Sequence, residues 1–277
     1  MSEKYTPRDW LEFYKVTKEA LEKKEQIITA KTPENKEIVF EMNKIREHWH
    51  NFYKEHNLQE IADSLPEQIT LSQEQIQRIQ ELSKEQGFDT FILLPPNPDQ
   101  YLDKLKQETS DKELAGLSEK KQYDNKKTYL SGTVKPNFPD KIKTINRPCL
   151  SAGRPKDKPY LLFLKSSPEV PDDTREQSAS DLREQFKKNN LNGLTLSEYF
   201  IFQRNYTKTR INDKNPHPDA EYWTWLLDSE LSETSSGAGQ VLRAYWHPDD
   251  QQVLVDSDNS SYQHSSRGAR SSAMFEL

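Results

Sequence analysis

From Gly239 to Leu277 the chain has almost no helical periodicity. Val241-Leu242-Arg243-Ala244-Tyr245-Trp246 and Val253-Leu254-Val255 are β-branched, aromatic and aliphatic runs of strand length. Turn formers bound each of them, His247-Pro248-Asp249-Asp250 after the first and Asp256-Ser257-Asp258-Asn259 after the second. The pattern predicts a hairpin with polar loops. Beyond it the residues are mostly Ser, Asp, Asn, Tyr, Gln and His, until Arg267-Gly268-Ala269-Arg270 leads into a last strand at Ala273-Met274-Phe275. Small polar residues with interspersed aromatic rings are the composition that binding surfaces use.

Upstream, the periodicity changes twice. Thr6-Pro7 opens a helix with Trp10, Phe13, Tyr14, Thr17 and Leu21 at three- and four-residue steps. Thr32-Pro33-Glu34 opens a second, with Ile38, Met42, Ile45, Trp49, Phe52 and Tyr53 on one face. Thr70-Leu71-Ser72-Gln73-Glu74 is a capped start for a third, ending at Gly87. At Phe88 the pattern becomes strand-like: Phe88–Leu94 is a short apolar run stopped by Pro95-Pro96, and Tyr160–Leu164 is another. Helical pieces return at Ser180–Phe186 and Thr195–Gln203, followed by an alternating strand at Tyr222–Leu227. Trp223 and Trp225 share one face of that strand, and both are expected in the core. The fold class is therefore α+β, with a separable helical unit over residues 1–86 and a mixed domain over 87–277.

Charge and composition narrow the function. A net charge of −6 argues against a nucleic-acid binder, and a mean hydropathy of −1.02 points to a modest core. Residues 102–165 hold fifteen Lys or Arg against eight Asp or Glu. They form either a solvated basic face or, as an alternative function, the phosphate-binding surface of a nucleic-acid-associated accessory protein. The lone cysteine, Cys149, excludes an intrachain disulfide and suits a reducing, cytoplasmic compartment. No apolar run is long enough to span a bilayer.

Four segments in order carry a resemblance: Gly193-Leu194-Thr195-Leu196, then Trp223-Thr224-Trp225-Leu226, then Gly239 to Trp246, then Arg267-Gly268-Ala269-Arg270. They resemble the carboxy-terminal half of C-type-lectin-fold domains of the formylglycine-generating-enzyme-like type, and most of all the variable proteins of diversity-generating retroelements. The resemblance covers about the last 85 residues. Ala244-Tyr245 stands where the family has paired glycines, and nothing in residues 1–87 matches a module of it. It implies a lectin-like mixed domain with a hypervariable ligand-binding region at about 241–270, facing a protein or glycan ligand.

The genetic code adds a test of that resemblance. Changing the adenines of an AAC-type codon yields Ser, Asp, Tyr, His, Ala, Val, Leu and similar residues, but not Trp, Gln, Glu, Lys or Met. Tyr245, His247, Asp250, Val253, Val255, Ser257, Asn259, Tyr262, His264 and Ser266 are all reachable, and they are the candidate ligand-binding residues. Trp246, Gln251, Gln252 and Gln263 would be fixed. Alternation sets Tyr245 and His247 opposite Trp246, and Val253 and Val255 opposite Leu254. With Trp246 and Leu254 on the core side, the exposed patch would comprise Tyr245, His247, Val253, Val255, Tyr262 and His264.

No enzyme is expected. Formylglycine-generating chemistry, which the resemblance could imply, uses cysteines in the carboxy-terminal half, and none follows Cys149. His48 and His50 are two residues apart, whereas a helical metal pair sits three or four apart. His247 with Asp249 and Asp250, and His264 with Asp256 and Asp258, have neither a nucleophile nor calcium-loop spacing. No cofactor and no metal are expected.

Overall fold

The computed structural model describes residues 33–105, 142–144, 154–210, 213, 216–231, 240–248 and 252–277. The helix expected from Thr6, Cys149, Asp249 and Asp250, and most of the basic 102–165 segment lie outside them.

The described residues form an α+β structure. Helices α1 (Pro33–Glu55), α2 (Gln59–Ser64) and α3 (Gln73–Gln86) come first. Helix α3 starts where Ser72 and Gln75 form a reciprocal capping box and ends at Gly87, whose φ of 67° is left-handed. Strand β1 (Thr90–Leu94) follows, then the short β2 (Ile142–Thr144) and β3 (Tyr160–Leu164). Helices α4 (Ala179–Lys188) and α5 (Leu196–Thr209) precede β4 (Trp223–Leu231). Ser178 caps α4, and Thr195 with Glu198 caps α5. The chain closes with β5 (Gln240–His247), β6 (Gln252–Asn259), β7 (Arg267–Ala269) and β8 (Ser272–Glu276).

Two sheets result. The smaller is antiparallel in the order β1-β3-β8, so the last strand closes against one that lies more than a hundred residues earlier. Every residue of β3 is buried, as a central strand covered on both faces requires. The larger sheet runs β2-β4-β5-β6, with β7 parallel to the first residues of β4. Strands β5 and β6 form the expected hairpin, with Tyr245 opposite Leu254 and Trp246 opposite Val253.

Residues 42–86 do not form a separate core. Met42, Ile45, Trp49, Phe52 and Tyr53 of α1 belong to the same buried cluster as both sheets. The physical reason is the edge of β1. Trp49 Nε1 donates to the Phe91 carbonyl at 3.0 Å and the Tyr53 hydroxyl to the Leu93 carbonyl at 2.7 Å. The helix thus satisfies carbonyls that an open sheet edge would leave for another chain. Gly87 ends helix α3.

A buried charge cluster ties the helices to the sheet. Arg154 Nε and Nη2 donate to the two oxygens of Glu198 at 2.7 and 2.8 Å, and Nη1 donates to Asp228 at 2.9 Å. The Tyr160 hydroxyl and the Thr195 backbone N–H also donate to Glu198. The capping carboxylate of α5 is therefore the anchor for β3, β4 and the segment before β3.

Candidate functional site

The two faces of the β4-β5-β6 sheet differ in chemistry. Cross-strand register puts Thr224, Ala244 and Val255 on one face, with Leu226, Leu242, Trp246 and Val253. All seven are buried. The other face carries Trp223, Trp225, Arg243, Tyr245 and His247, opposite Leu254 and Asp256.

Val253 and Val255 are therefore core, each 0% exposed, and Leu254 is the half-buried residue facing outward. Alternation within β6 is as expected, but the face is inverted. The register across the turn decides it, because Val253 lies beside Trp246 and Leu254 beside Tyr245. Trp223 does not join the core. It is only half-buried on the outer face, whereas Trp225 on that same face is fully buried.

The remaining candidates divide by position. Tyr245 and His247 stand half-buried on the outer face, their rings 5.5 Å apart and edge-on. Tyr262 and His264 project from the loop between β6 and β7, and Tyr262 is 46% exposed. Their rings stack with centroids 6.2 Å apart. Ser266 holds His264 in place, its hydroxyl 2.8 Å and its backbone N–H 3.2 Å from Nδ1. Asn259 is exposed and builds the loop, accepting from both the Ser261 N–H and hydroxyl. Ser257 donates to Gln240 at the far end of the hairpin. Asp250 lies outside the described residues.

Residues absent from the expected set join the two aromatic groups. The Arg243 guanidinium lies 4.4 Å over the Trp223 ring, and Trp223 is 4.0 Å from Tyr245. Arg243 pairs with Asp256 at 2.7 Å and with Asp258 at 3.5 Å. Asp258 also takes Arg267 at 2.9 Å, whose guanidinium lies 4.5 Å from the Tyr262 ring and 5.0 Å from Trp225. A continuous stripe therefore runs from His247 through Tyr245, Trp223, Arg243, Asp258 and Arg267 to Tyr262 and His264. Arg267 also explains the burial of Trp225, because it covers the ring. Burial, and then the charge of Arg243, lower the pKa of Arg267, and Asp258 works against both.

Some donors of the stripe are buried under it. Among the described residues, Trp225 Nε1, Arg243 Nε, and Arg267 Nε and Nη1 are buried without an acceptor in the chain, beneath the surface that a ligand would meet. All are donors, and the two guanidinium charges are already balanced by Asp256 and Asp258.

Sequence patterning contained part of this. Arg243 shares the parity of Tyr245, so it could have been placed on the outer face from alternation alone. Asp256, Asp258 and Arg267 required the hairpin register and the parallel pairing of β7.

His48 and His56 are largely enclosed. His48 lies 3.0 Å from Asn205 and its pKa is lowered by burial to about 4, while burial takes His56 to about 3. Among the described residues no three His, Cys, Asp or Glu side chains are grouped to hold a metal ion. No helix of the described residues is long and apolar enough to cross a membrane. No protein family, curated protein or solved structure matches the chain.

Proposed function

We propose that this chain is a ligand-binding protein without catalytic activity: a variable protein of a diversity-generating retroelement that presents a hypervariable face on a lectin-like scaffold. One observation carries the proposal. A sheet whose inner face buries Thr224, Leu226, Leu242, Ala244, Trp246, Val253 and Val255 bears on its outer face a continuous stripe of aromatic rings and guanidinium groups. Side chains on such a face can change without disturbing the core, which is what a diversified site requires.

The residues that bind ligand are Tyr245, His247, Tyr262 and His264, with Trp223 and Arg243 as framework between them. Leu254 and Asp256 are adenine-reachable and face the same way. Val253 and Val255 are excluded from the set by their burial. The ligand is a protein or glycan surface rather than a small molecule, because the stripe lies across a sheet face. A lone cysteine, Cys149, suits a cytoplasmic location.

The test is a combined substitution, Tyr245→Asn, His247→Asp, Tyr262→Ser and His264→Asn, compared with the unchanged protein. Thermal stability and affinity for a partner isolated with the unchanged protein are measured for both. Retained melting temperature with lost binding is the expected outcome. Collapse of the fold, or unchanged binding, contradicts the proposal.

A further inference from the structure

The segment that delivers β4 to this face is held by one carboxylate. Ala220 N and Glu221 N donate to one oxygen of Glu169, at 3.0 and 3.2 Å, and Tyr222 N donates to the other at 3.2 Å. Three consecutive backbone N–H groups thus converge on a single side chain immediately before Trp223. The segment needs such a hold. Asp219, directly before it, has a left-handed φ of 55°, a conformation that non-glycine residues keep only under tertiary constraint. Trp223 is then fixed on its other side by donation of its N–H to the Ser266 carbonyl at 2.8 Å.

We propose that Glu169 is a proton-operated clasp on the edge of the binding face. When ionised it holds residues 220–222 and sets the position of Trp223; when protonated it releases part of that hold. An ionised carboxylate offers two oxygens with full acceptor strength, as the split of the three donors requires. A carboxylic acid converts one oxygen into a donor facing a donor.

The surroundings make the proton available near neutrality. Glu169 is half-buried and Asp219 lies close to it; burial first and then the charge of Asp219 push its carboxyl up to about 7, against the pull of the three N–H groups. Arg270 does not relieve this, because it is committed to Asp219 at 2.6 and 3.1 Å. From α5, Tyr199 feels the charges of Asp219, Arg270 and Glu169. Tyr206 lies under Arg210, which donates to Ser166. Arg175 is stacked 4.0 Å over the Tyr222 ring and donates to the Val170 carbonyl. Ser167 donates to the Glu169 backbone carbonyl, so the main chain of Glu169 stays in place while its side chain titrates.

The clasp rests on the reading of this face as a binding surface only for its consequence, and it is tested without any ligand. Backbone amide resonances of Ala220, Glu221 and Tyr222 are followed by NMR from pH 5 to 9 in the full chain and in Glu169→Gln. The three amides should shift together with a midpoint near 7, and their hydrogen-exchange protection, corrected for the intrinsic slowing of exchange in acid, should drop several-fold below it. Glu169→Gln should abolish that titration while leaving the amides of β5 and β6 unchanged. A midpoint near the ordinary carboxyl value, or an undiminished titration in Glu169→Gln, would overturn the proposal. Either result would leave the binding reading untouched.

Discussion

Arg270 Nε and Nη2 donate to the two oxygens of Asp219 at 3.1 and 2.6 Å, and the two side chains are 1% and 0% exposed. The pair fastens the end of β7 to the turn that enters β4, so the framework beneath the outer face depends on it. Removing one partner leaves a buried charge without its counterpart. Asp219→Ala should cost about 3–5 kcal/mol in urea denaturation, whereas replacing both residues with apolar ones of similar volume should recover much of that loss. Equal losses in the single and double variants would argue that the pair contributes little.

Two glycines are set by close approach. A Cβ on Gly193 would lie 2.5 Å from Leu227 Cβ, and one on Gly268 would lie 2.8 Å from Val170. Both neighbours are buried and cannot move aside freely. Gly193→Ala and Gly268→Ala should each lower stability by about 1–3 kcal/mol. Calorimetric melting temperatures matching the unchanged protein would show that the neighbours yield.

Much of the fold was legible because its signals are local. Ser72 and Thr195 announce capping boxes within four residues, Gly87 marks a left-handed stop, and the runs at Thr90–Leu94 and Tyr160–Leu164 are too short and too apolar for anything but buried strands. What stayed hidden depends on distant partners. The face of Val253 and Val255 depends on how many residues the turn before β6 consumes. Trp223 and Trp225 have the same parity, and only Arg267, more than forty residues later, separates their burial. The union of Arg154, Glu198 and Asp228 spans seventy-four residues, and the docking of Trp49 and Tyr53 onto β1 about forty.

A buried ring and the exposed loop predict opposite responses to truncation. Trp225→Ala, at a fully buried ring, should cost roughly 3–5 kcal/mol. Tyr262→Ala and His264→Ala, in the exposed loop, should stay within about 0.5 kcal/mol. Similar melting temperatures for all three would mean that the loop is part of the core or that Trp225 is not.

Acid should weaken the fold. Burial lowers His48 to about 4 and both His56 and His217 to about 3, whereas the unfolded chain protonates histidine near 6.5. Between those values the unfolded chain binds more protons, so this stability is fully present above about 6.5 and is lost as pH falls toward about 4. Each histidine contributes about 1.4 kcal/mol per pH unit across that window. Glu169 has the opposite sign: its raised pKa adds stability below 4.5 that is lost as pH rises through about 7, and solvent screening keeps its effect smaller. Urea midpoints should therefore climb steeply from pH 4.5 to 6.5; a flat profile would contradict the buried neutral histidines.

The central claim is that the outer face is diversified while the inner face is fixed. DNA flanking the gene should be sequenced for a near-identical copy of the segment encoding about 241–270. The account predicts such a repeat beside a reverse transcriptase gene. Its differences should fall at adenines in the codons of Tyr245, His247, Tyr262, His264 and their outward neighbours, and should spare Trp246, Val253, Val255, Gly268 and Arg270. The lack of any such repeat, or differences concentrated in the codons of Val253 and Val255, would contradict it.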